Sequence, residues 1–497
     1  MKARRSLGHP RPPQMPHPAS PVRDRLPWGA WEQQVTRRQK QIAQASQRGD
    51  RQAVHRLQQQ MLESEAARLL AVRRVAEENQ GKDTAGVDGV KSLSASERLA
   101  MAEAIHPRFW PQQPVLPGRR VWIAKPGSAE RRPLAILPMM DRCKQALVKL
   151  ALEPEWEAQF EQHSYGFRPG RGAHDAIAAL QVALDHHPCY VFHADIAEAF
   201  DSVDQAALLE QLQTFSALRQ AISAWLTAGV IDGNTYVPSE RGIPQGGVLS
   251  PLLLNVALHG MEAVVTHGAA REAPLLVRYA DDFVILHADL HELQQAIRQV
   301  TRWLAARGFQ LHPDKTRLTH TLTPYQGPAG FDFLGFTVRQ GSEATPVMGR
   351  REPVIMPRGK TAMPPFPHWL APPTPPSRIT TIITPSQEAD RRHRAAIEQR
   401  LRPLHAAPQA QVITELNPLI IGWAAYYNGI VPAEAMRRYD DRLEQRLLTW
   451  ASQRHPGQTR DWLLARYWQS AGKQKRVFAT ADGVQLRAYR PARLLKT

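Results

Sequence analysis

The chain has 497 residues, with 63 Lys+Arg against 46 Asp+Glu, a formal net charge of +17 at pH 7 and a pI near 10.2. Such a balance suits a polyanionic partner, through counterion release and electrostatic steering, without separating RNA, DNA and an anionic membrane surface. Only Cys143 and Cys189 occur, which excludes a disulfide framework and a Cys-x-x-Cys metal pair, and no apolar run reaches the ~20 residues of a membrane span.

Residues 1–27 are basic and rich in proline and histidine, a composition that predicts a disordered tail. They lack the apolar core of a secretory signal, and their prolines disfavour an amphipathic transit helix. Residues 28–90 read as a helical extension, with Trp28 to Val54 offering an RNA-binding appendage. Residues 91–340 carry the motifs taken up below. Residues 341–377 are proline-rich and end in Pro-Pro-Thr-Pro-Pro, which reads as an insertion or linker.

Three amphipathic helices follow in residues 378–470. One runs through Ile397, Leu401 and Leu404, and one through Val412, Leu416, Leu419 and Trp423, with Asn417 and Pro418 as a cap and restart. The last runs through Met436, Leu443, Leu447 and Trp450, and residues 471–497 read as a short basic tail. Positive charge collects at both ends: residues 1–60 hold 12 basic and 3 acidic groups, residues 378–497 hold 20 and 10. The aromatic residues of the helical region are expected in its core, and the arginines on the opposite faces are its better phosphate ligands. The nineteen histidines form no ligand cluster by spacing.

Within 91–340 the most informative stretch is Leu275-Leu276-Val277-Arg278-Tyr279-Ala280-Asp281-Asp282-Phe283-Val284-Ile285-Leu286. It reads as two apolar strands with adjacent carboxylates at the hairpin tip. Taken alone, such a pair suits a solvated surface turn. A second strand, Tyr190 to Ile196, brings another carboxylate, Asp195, to its end. Acids gathered at one sheet end are what nucleotidyl transfer needs, because two Mg²⁺ ions ~3.5–4 Å apart clamp the attacking and leaving oxygens. Phe200 then lies where a nucleotide sugar passes, and its ring either excludes a 2′-hydroxyl or fills the core. Asp201 and Asp204 read as helix caps or surface acids rather than metal ligands. Between the acids, Pro244-Gln245-Gly246-Gly247 with Ser250-Pro251 reads as a glycine turn entering a helix, Ser250 being the N-cap.

In this order the motifs resemble the reverse transcriptases encoded by group II introns, the intron maturases. Thr84-Ala85-Gly86-Val87-Asp88-Gly89 resembles their N-terminal block. Val121 to Gly127, Arg131-Arg132-Pro133-Leu134 and Asp141-Arg142 resemble their fingers. Tyr165-Gly166-Phe167-Arg168-Pro169-Gly170, Asp195, Pro244 to Gly247, Tyr279 to Asp282, His312 to Thr316 and Phe333-Leu334-Gly335-Phe336 follow as in the polymerase. Leu416 to Tyr427, with Arg454-His455-Pro456, Asp461-Trp462 and Arg466-Tyr467-Trp468, resembles their thumb, domain X.

The resemblance implies an α+β right-hand polymerase, with an antiparallel palm sheet plus helices and an α-helical maturase thumb. It implies an RNA-directed DNA polymerase and maturase that uses two Mg²⁺ ions held by Asp195, Asp281 and Asp282. Lys125 and Arg132 would grip the incoming triphosphate, a point charge and a planar fork. Phe200, Gln245 and Gly246 would meet the nucleotide, and Lys315 would protonate pyrophosphate as a general acid. Tyr165, Phe167 and Arg168 either line the template track or form a buried structural turn. The implied partners are structured intron RNA or another template RNA, a DNA primer or target, and dNTPs, with no membrane, in the bacterial cytoplasm among nucleoid and RNA. No H-N-H endonuclease is expected. Two other functions stay open: a domesticated relative in CRISPR spacer acquisition, phage defence or DNA repair, and an RNA chaperone with a vestigial polymerase.

Overall fold

A computed structural model describes residues 26–124, 131–184, 187–267, 273–342, 379–470 and 476–490. The tail 1–25, most of the proline-rich insertion, Lys125 and the last residues lie outside that set.

Helix Trp28–Gln47 is followed by helices Arg51–Glu63 and Glu65–Arg73. Asp50 caps the second by accepting from the Ala53 amide at 3.0 Å. These helices are not an appendage. Val35, Ile42 and Ala45 are buried, and the first helix packs on helix Met139–Glu157. Gln39 Nε2 donates to Leu150 O at 3.1 Å and Ser46 Oγ to Glu155 O at 3.0 Å. The apolar stripe thus belongs to the main core, and the helix's opposite face stays exposed.

Strands β1 (Gly118–Ala124) and β2 (Arg131–Ile136) form an antiparallel hairpin. Helices Met139–Glu157 and Ala173–Leu184 lead to β3 (Tyr190–Ala197). The short strands β4 (Val230–Asp232) and β5 (Thr235–Val237) extend the fingers sheet in the order β2-β1-β4-β5. Helix Ser250–Ala257 precedes β6 (Leu275–Tyr279) and β7 (Asp282–His287), and helix Leu290–Ala305 precedes β8 (Gln310–Leu311) and β9 (Arg317–His320). The palm sheet runs β6-β7-β3, with β9 and β8 sharing the far edge of β3. All of its pairings are antiparallel.

Both faces of this sheet are covered. Phe283, Ile285, Phe192, Ala194 and Ile196 join the core with the N-terminal helices, while Val284, Leu286, Val191 and Val277 join a second core with the thumb. The period-two alternation of strands sorts the side chains between the two cores. Cys143 and Cys189 are buried free thiols whose pKa is pushed up to about 12 by burial, so both act as packing groups.

Strands β10 (Phe331–Phe333), β11 (Phe336–Ser342) and β12 (Ile379–Pro385) form a small sheet that carries the chain into the thumb. β11 and β12 pair in full register from Phe336↔Pro385 to Ser342↔Ile379. Phe333-Leu334-Gly335-Phe336 forms the β10–β11 turn, and Tyr426 and Tyr427 donate their hydroxyls to Leu334 O and Gly335 O at 2.8 and 2.9 Å.

The thumb helices are Gln387–Leu401, Gln409–Tyr427, Ala433–Arg454 and Arg460–Tyr467. Gln409–Tyr427 is continuous through Pro418, so Asn417 and Pro418 are not a cap and restart. Asn417 instead ties down the chain end, donating to Gln485 O at 3.1 Å and accepting from the Arg487 amide at 2.8 Å. Residues 476–490 are correspondingly no free tail. β13 (Trp468–Ser470) pairs with β14 (Arg476–Phe478), and Tyr489 is buried in the thumb.

The Tyr489 hydroxyl lies 2.7 Å from His393 Nε2, and His393 stacks on Trp423 at 4.1 Å between centroids. Burial depresses the pKa of His393 to about 4. The unfolded chain therefore takes up this proton first, so the contribution is present above the ordinary histidine pKa and lost as pH falls toward 4. Acidifying from about pH 7 to about pH 4.5 should lower the melting temperature, and His393→Phe should flatten that dependence. An unchanged pH profile in the variant would assign the acid sensitivity elsewhere.

Candidate active site

The palm sheet brings Asp195 and Asp282 together as direct cross-strand partners at the open ends of β3 and β7. Asp281 occupies the tight turn between β6 and β7, whose other member, Ala280, sits at φ 59°. A left-handed alanine is uncommon and is held only by its surroundings. The Ile196 amide donates to Asp281 O at 3.1 Å and the His312 amide to Asp195 O at 2.8 Å, fixing the turn against β3.

Each cross-strand acid has a cationic or imidazole partner. Lys315 Nζ lies 3.1 Å from Asp195 Oδ1, and His193 Nε2 lies 2.8 Å from Asp282 Oδ1. The pKa of Asp281 is raised by burial, then by the charges of Asp195 and Asp282, against the opposing pull of Lys315. Among the described residues, no three His, Cys, Asp or Glu side chains are already drawn together around an ion position. The donor set is nonetheless all carboxylate oxygen, the chemistry a hard divalent cation takes. Burial chiefly, with the charges of Asp195 and Asp282 behind it, disfavours the ionised Asp281, and a cation at the carboxylates would offset that.

Tyr165, Phe167 and Arg168 separate. Tyr165 and Arg168 are buried, at 6% and 5% exposure, and belong to the turn itself. Arg168 spends its guanidinium on both Glu157 oxygens at 3.0–3.1 Å and on the carbonyls of Glu161 and Ser164. Burial and these contacts favour the structural-turn reading for both residues. Phe167 is 44% exposed, at φ 63°, and its ring lies 6.1 Å from that of Phe200. Phe200 is half-buried and packs on the core, as the core reading of its ring expects.

The glycine-rich loop closes on itself. Ser250 is the first helical residue rather than the N-cap, and its hydroxyl donates to Pro244 O at 2.7 Å. Gly246 sits at φ 104°, where a Cβ would lie 2.9 Å from Ala135 O, so the loop lies flat on β2 only because that side chain is missing. Gln245 Nε2 donates to Asp201 Oδ2 at 2.8 Å. Asp201 is therefore the Gln245 partner, not a helix cap, and burial raises its pKa against that hydrogen bond. Asp204 does cap a helix, accepting from the Ala207 amide at 2.9 Å. Gln245, Asp201, Arg120 and Arg241 line a cleft of about 290 Å³ between the fingers sheet and the palm. Arg132 is exposed on β2 opposite Ile123, and Lys125 falls outside the described residues.

Sequence reasoning passed over His193, Arg278 and Asn255. His193 carried a signal, being two residues before Asp195 and hence on the same strand face. Arg278 carried a stronger one, a lone charge in an apolar strand.

Three family models match. The N-terminal domain of reverse transcriptase matches residues 24–105, the reverse transcriptase (RNA-dependent DNA polymerase) residues 123–338, and the group II intron maturase-specific domain residues 391–468. Protein YkfC of Escherichia coli (strain K12) is 31% identical over 54% of this chain and 79% of its own length. The group II intron-encoded protein LtrA of Lactococcus lactis subsp. cremoris is 29% identical over 49% of this chain and 41% of LtrA. Maturase-like protein 1 of Euglena gracilis is 26% identical over 64% of this chain and 67% of its own length.

Proposed function

The chain belongs to the group II intron reverse transcriptase and maturase family, and from that premise we propose that it copies structured RNA into DNA and assists the splicing and mobility of its intron RNA. The observation that carries the reading is the Asp195↔Asp282 register at the tip of a doubly covered palm sheet, with Asp281 in the adjoining turn. Reverse transcriptases as a family depend on divalent metal. Here Asp195, Asp281 and Asp282 would hold it, and Mg²⁺, taken as two ions, would supply Lewis-acid stabilisation of charge on the reacting phosphate oxygens.

The remaining chemistry falls to the chain's own groups. The primer 3′-hydroxyl gives up its proton to solvent, its oxygen forms the new bond to the α-phosphorus, and the bond to pyrophosphate breaks. Lys315, 55% exposed and held on Asp195, keeps a transferable proton beside the reacting centre for that leaving group. Arg132 offers positive charge to the triphosphate from the fingers hairpin, with Lys125 its proposed companion in that role. The exposed ring of Phe167 against Phe200 makes an apolar wall suited to a sugar or a base. Gln245 is held by Asp201 at the cleft and offers its amide to the nascent pair.

The thumb supports an RNA partner. Arg437, Arg438, Arg442 and Arg446 are exposed on helix Ala433–Arg454, Arg442 and Arg446 being paired with Asp390 and Glu398 of helix Gln387–Leu401. Structured RNA is recognised largely through shape, phosphate and 2′-hydroxyl contacts, which such a face provides. No helix among the described residues is long and apolar enough to cross a membrane. The test is primer extension by the purified chain on an RNA template with dNTPs and Mg²⁺. Extension products are expected. Their absence alongside tight binding of structured RNA would leave a splicing chaperone in their place.

A further inference from the structure

Arg278 is among the largest wholly buried side chains of the protein, at 0% exposure in the centre of the apolar β6. An arginine there is costly, because its charge loses water and its Nε and Nη2 have no hydrogen-bond partner. Its pKa is brought down to about 10 by burial, so it stays charged at neutral pH. Packing alone would be served as well by an apolar residue.

What the arginine does make is one forked contact. Nη1 donates to Asn255 Oδ1 at 2.9 Å and to Ala280 O at 3.0 Å. Asn255, buried in helix Ser250–Ala257, donates its Nδ2 to Gly166 O at 2.8 Å. Gly166 in turn lies so close under the hairpin that a Cβ would overlap Ala280 N. The left-handed residue beside Asp281 is thus held at its carbonyl by Arg278, which Asn255 aims, and pressed at its amide by Gly166. Glu161 supplies a countercharge. Its burial is outweighed by the hydrogen bond and charge of His259 and by Arg278, leaving its carboxyl below the usual range.

We propose that Arg278, aimed by Asn255, is a positioning residue of the polymerase: it fixes Ala280 in its left-handed conformation and so sets where Asp281 and Asp282 stand to receive metal. The proposal rests on the polymerase reading above. Arg278 touches no substrate. It acts through the turn, and its removal should therefore weaken cation binding and turnover more than nucleotide binding.

The test uses the full chain with primer–template, comparing the native protein with Arg278→Lys, Arg278→Met and Asn255→Ala. Lysine keeps the charge and loses the fork, while Asn255→Ala keeps the arginine and removes its guide. Three quantities are read: kcat and KM for dNTP, Mn²⁺ affinity by electron paramagnetic resonance, and the melting temperature. Arg278→Lys is expected to lower kcat at least ~10-fold and weaken Mn²⁺ binding at least ~5-fold, with KM for dNTP changed less than ~3-fold. Asn255→Ala should move the same quantities in the same direction, and it decides the matter if Arg278→Met does not fold. Native kcat and Mn²⁺ affinity in both Arg278→Lys and Asn255→Ala, with only a lower melting temperature, would reduce Arg278 to a core partner of Glu161. Failure of the native chain itself to extend a primer would instead overturn the polymerase reading, a distinct result.

Discussion

An Asp281→Ala/Asp282→Ala double variant is expected to lose primer extension by at least ~10³-fold while keeping its affinity for structured RNA. Charge stabilisation by metal at a reacting phosphate contributes several kcal/mol, and each ~1.4 kcal/mol is tenfold in rate. Neither substitution disturbs a core, because both residues sit at the open end of the hairpin, with Asp282 26% exposed in its side chain. Removing them frees His193 from its 2.8 Å contact with Asp282 and takes two of the three acids from the cluster. The exposed arginines of helix Ala433–Arg454 lie on a separate element and are untouched. Rates are read by single-turnover dNTP incorporation and affinity by filter binding at fixed salt, since phosphate contacts are salt-dependent. Extension within tenfold of the native chain would remove these acids from the chemistry.

Gly166→Val should damage stability and turnover together. A Cβ at residue 166 would overlap Ala280 N and lie 2.8 Å from Tyr279 C, both backbone atoms that cannot swing aside. The segment is pinned from both sides, the Tyr165 amide donating to Arg278 O at 2.8 Å and the Arg278 amide to His163 O at 2.9 Å. Relief must come from moving the hairpin that bears Asp281. Overpacking of this kind costs about 1–3 kcal/mol or more, and displacing a catalytic group by ~1 Å can cost ~10²-fold in rate. Gly172→Ala is the matched control, since a Cβ there meets only Asp175 Oδ2 at 3.8 Å. Thermal unfolding and primer extension of the two variants check this. A Gly166→Val protein as active and stable as the control would mean that the hairpin yields freely.

The acids were legible because strands that end in aspartate have one geometric option once the sheet forms. Asp195, Asp281 and Asp282 could be placed together from alternation and a two-residue turn alone. The thumb helices were legible from periodicity for the same reason: their buried positions Leu416, Leu443 and Leu447 are local facts. Pro418 misled because a proline removes one backbone donor and reads as a break. In the folded thumb the neighbouring Asn417 is engaged by the Gln485–Arg487 segment, and the helix runs through. Partnerships between distant segments were hidden in principle. Arg168 with Glu157, Gln245 with Asp201 and Tyr489 with His393 each depend on chain paths that no local pattern encodes. The left-handed Ala280 was likewise invisible, since alanine gives no hint of positive φ.

The β11–β12 register has a mechanical meaning for the join between palm and thumb. The two strands are matched from Phe336↔Pro385 through Ser342↔Ile379, and helix Gln387–Leu401 begins two residues after β12 ends. The first thumb helix is therefore mounted on a hydrogen-bonded ladder, with the Tyr426 and Tyr427 hydroxyls fastening its Phe336 end through the carbonyls of Leu334 and Gly335. A swing of the thumb against the carboxylates would have to bend or shear that ladder, so the join acts as a stiff bracket.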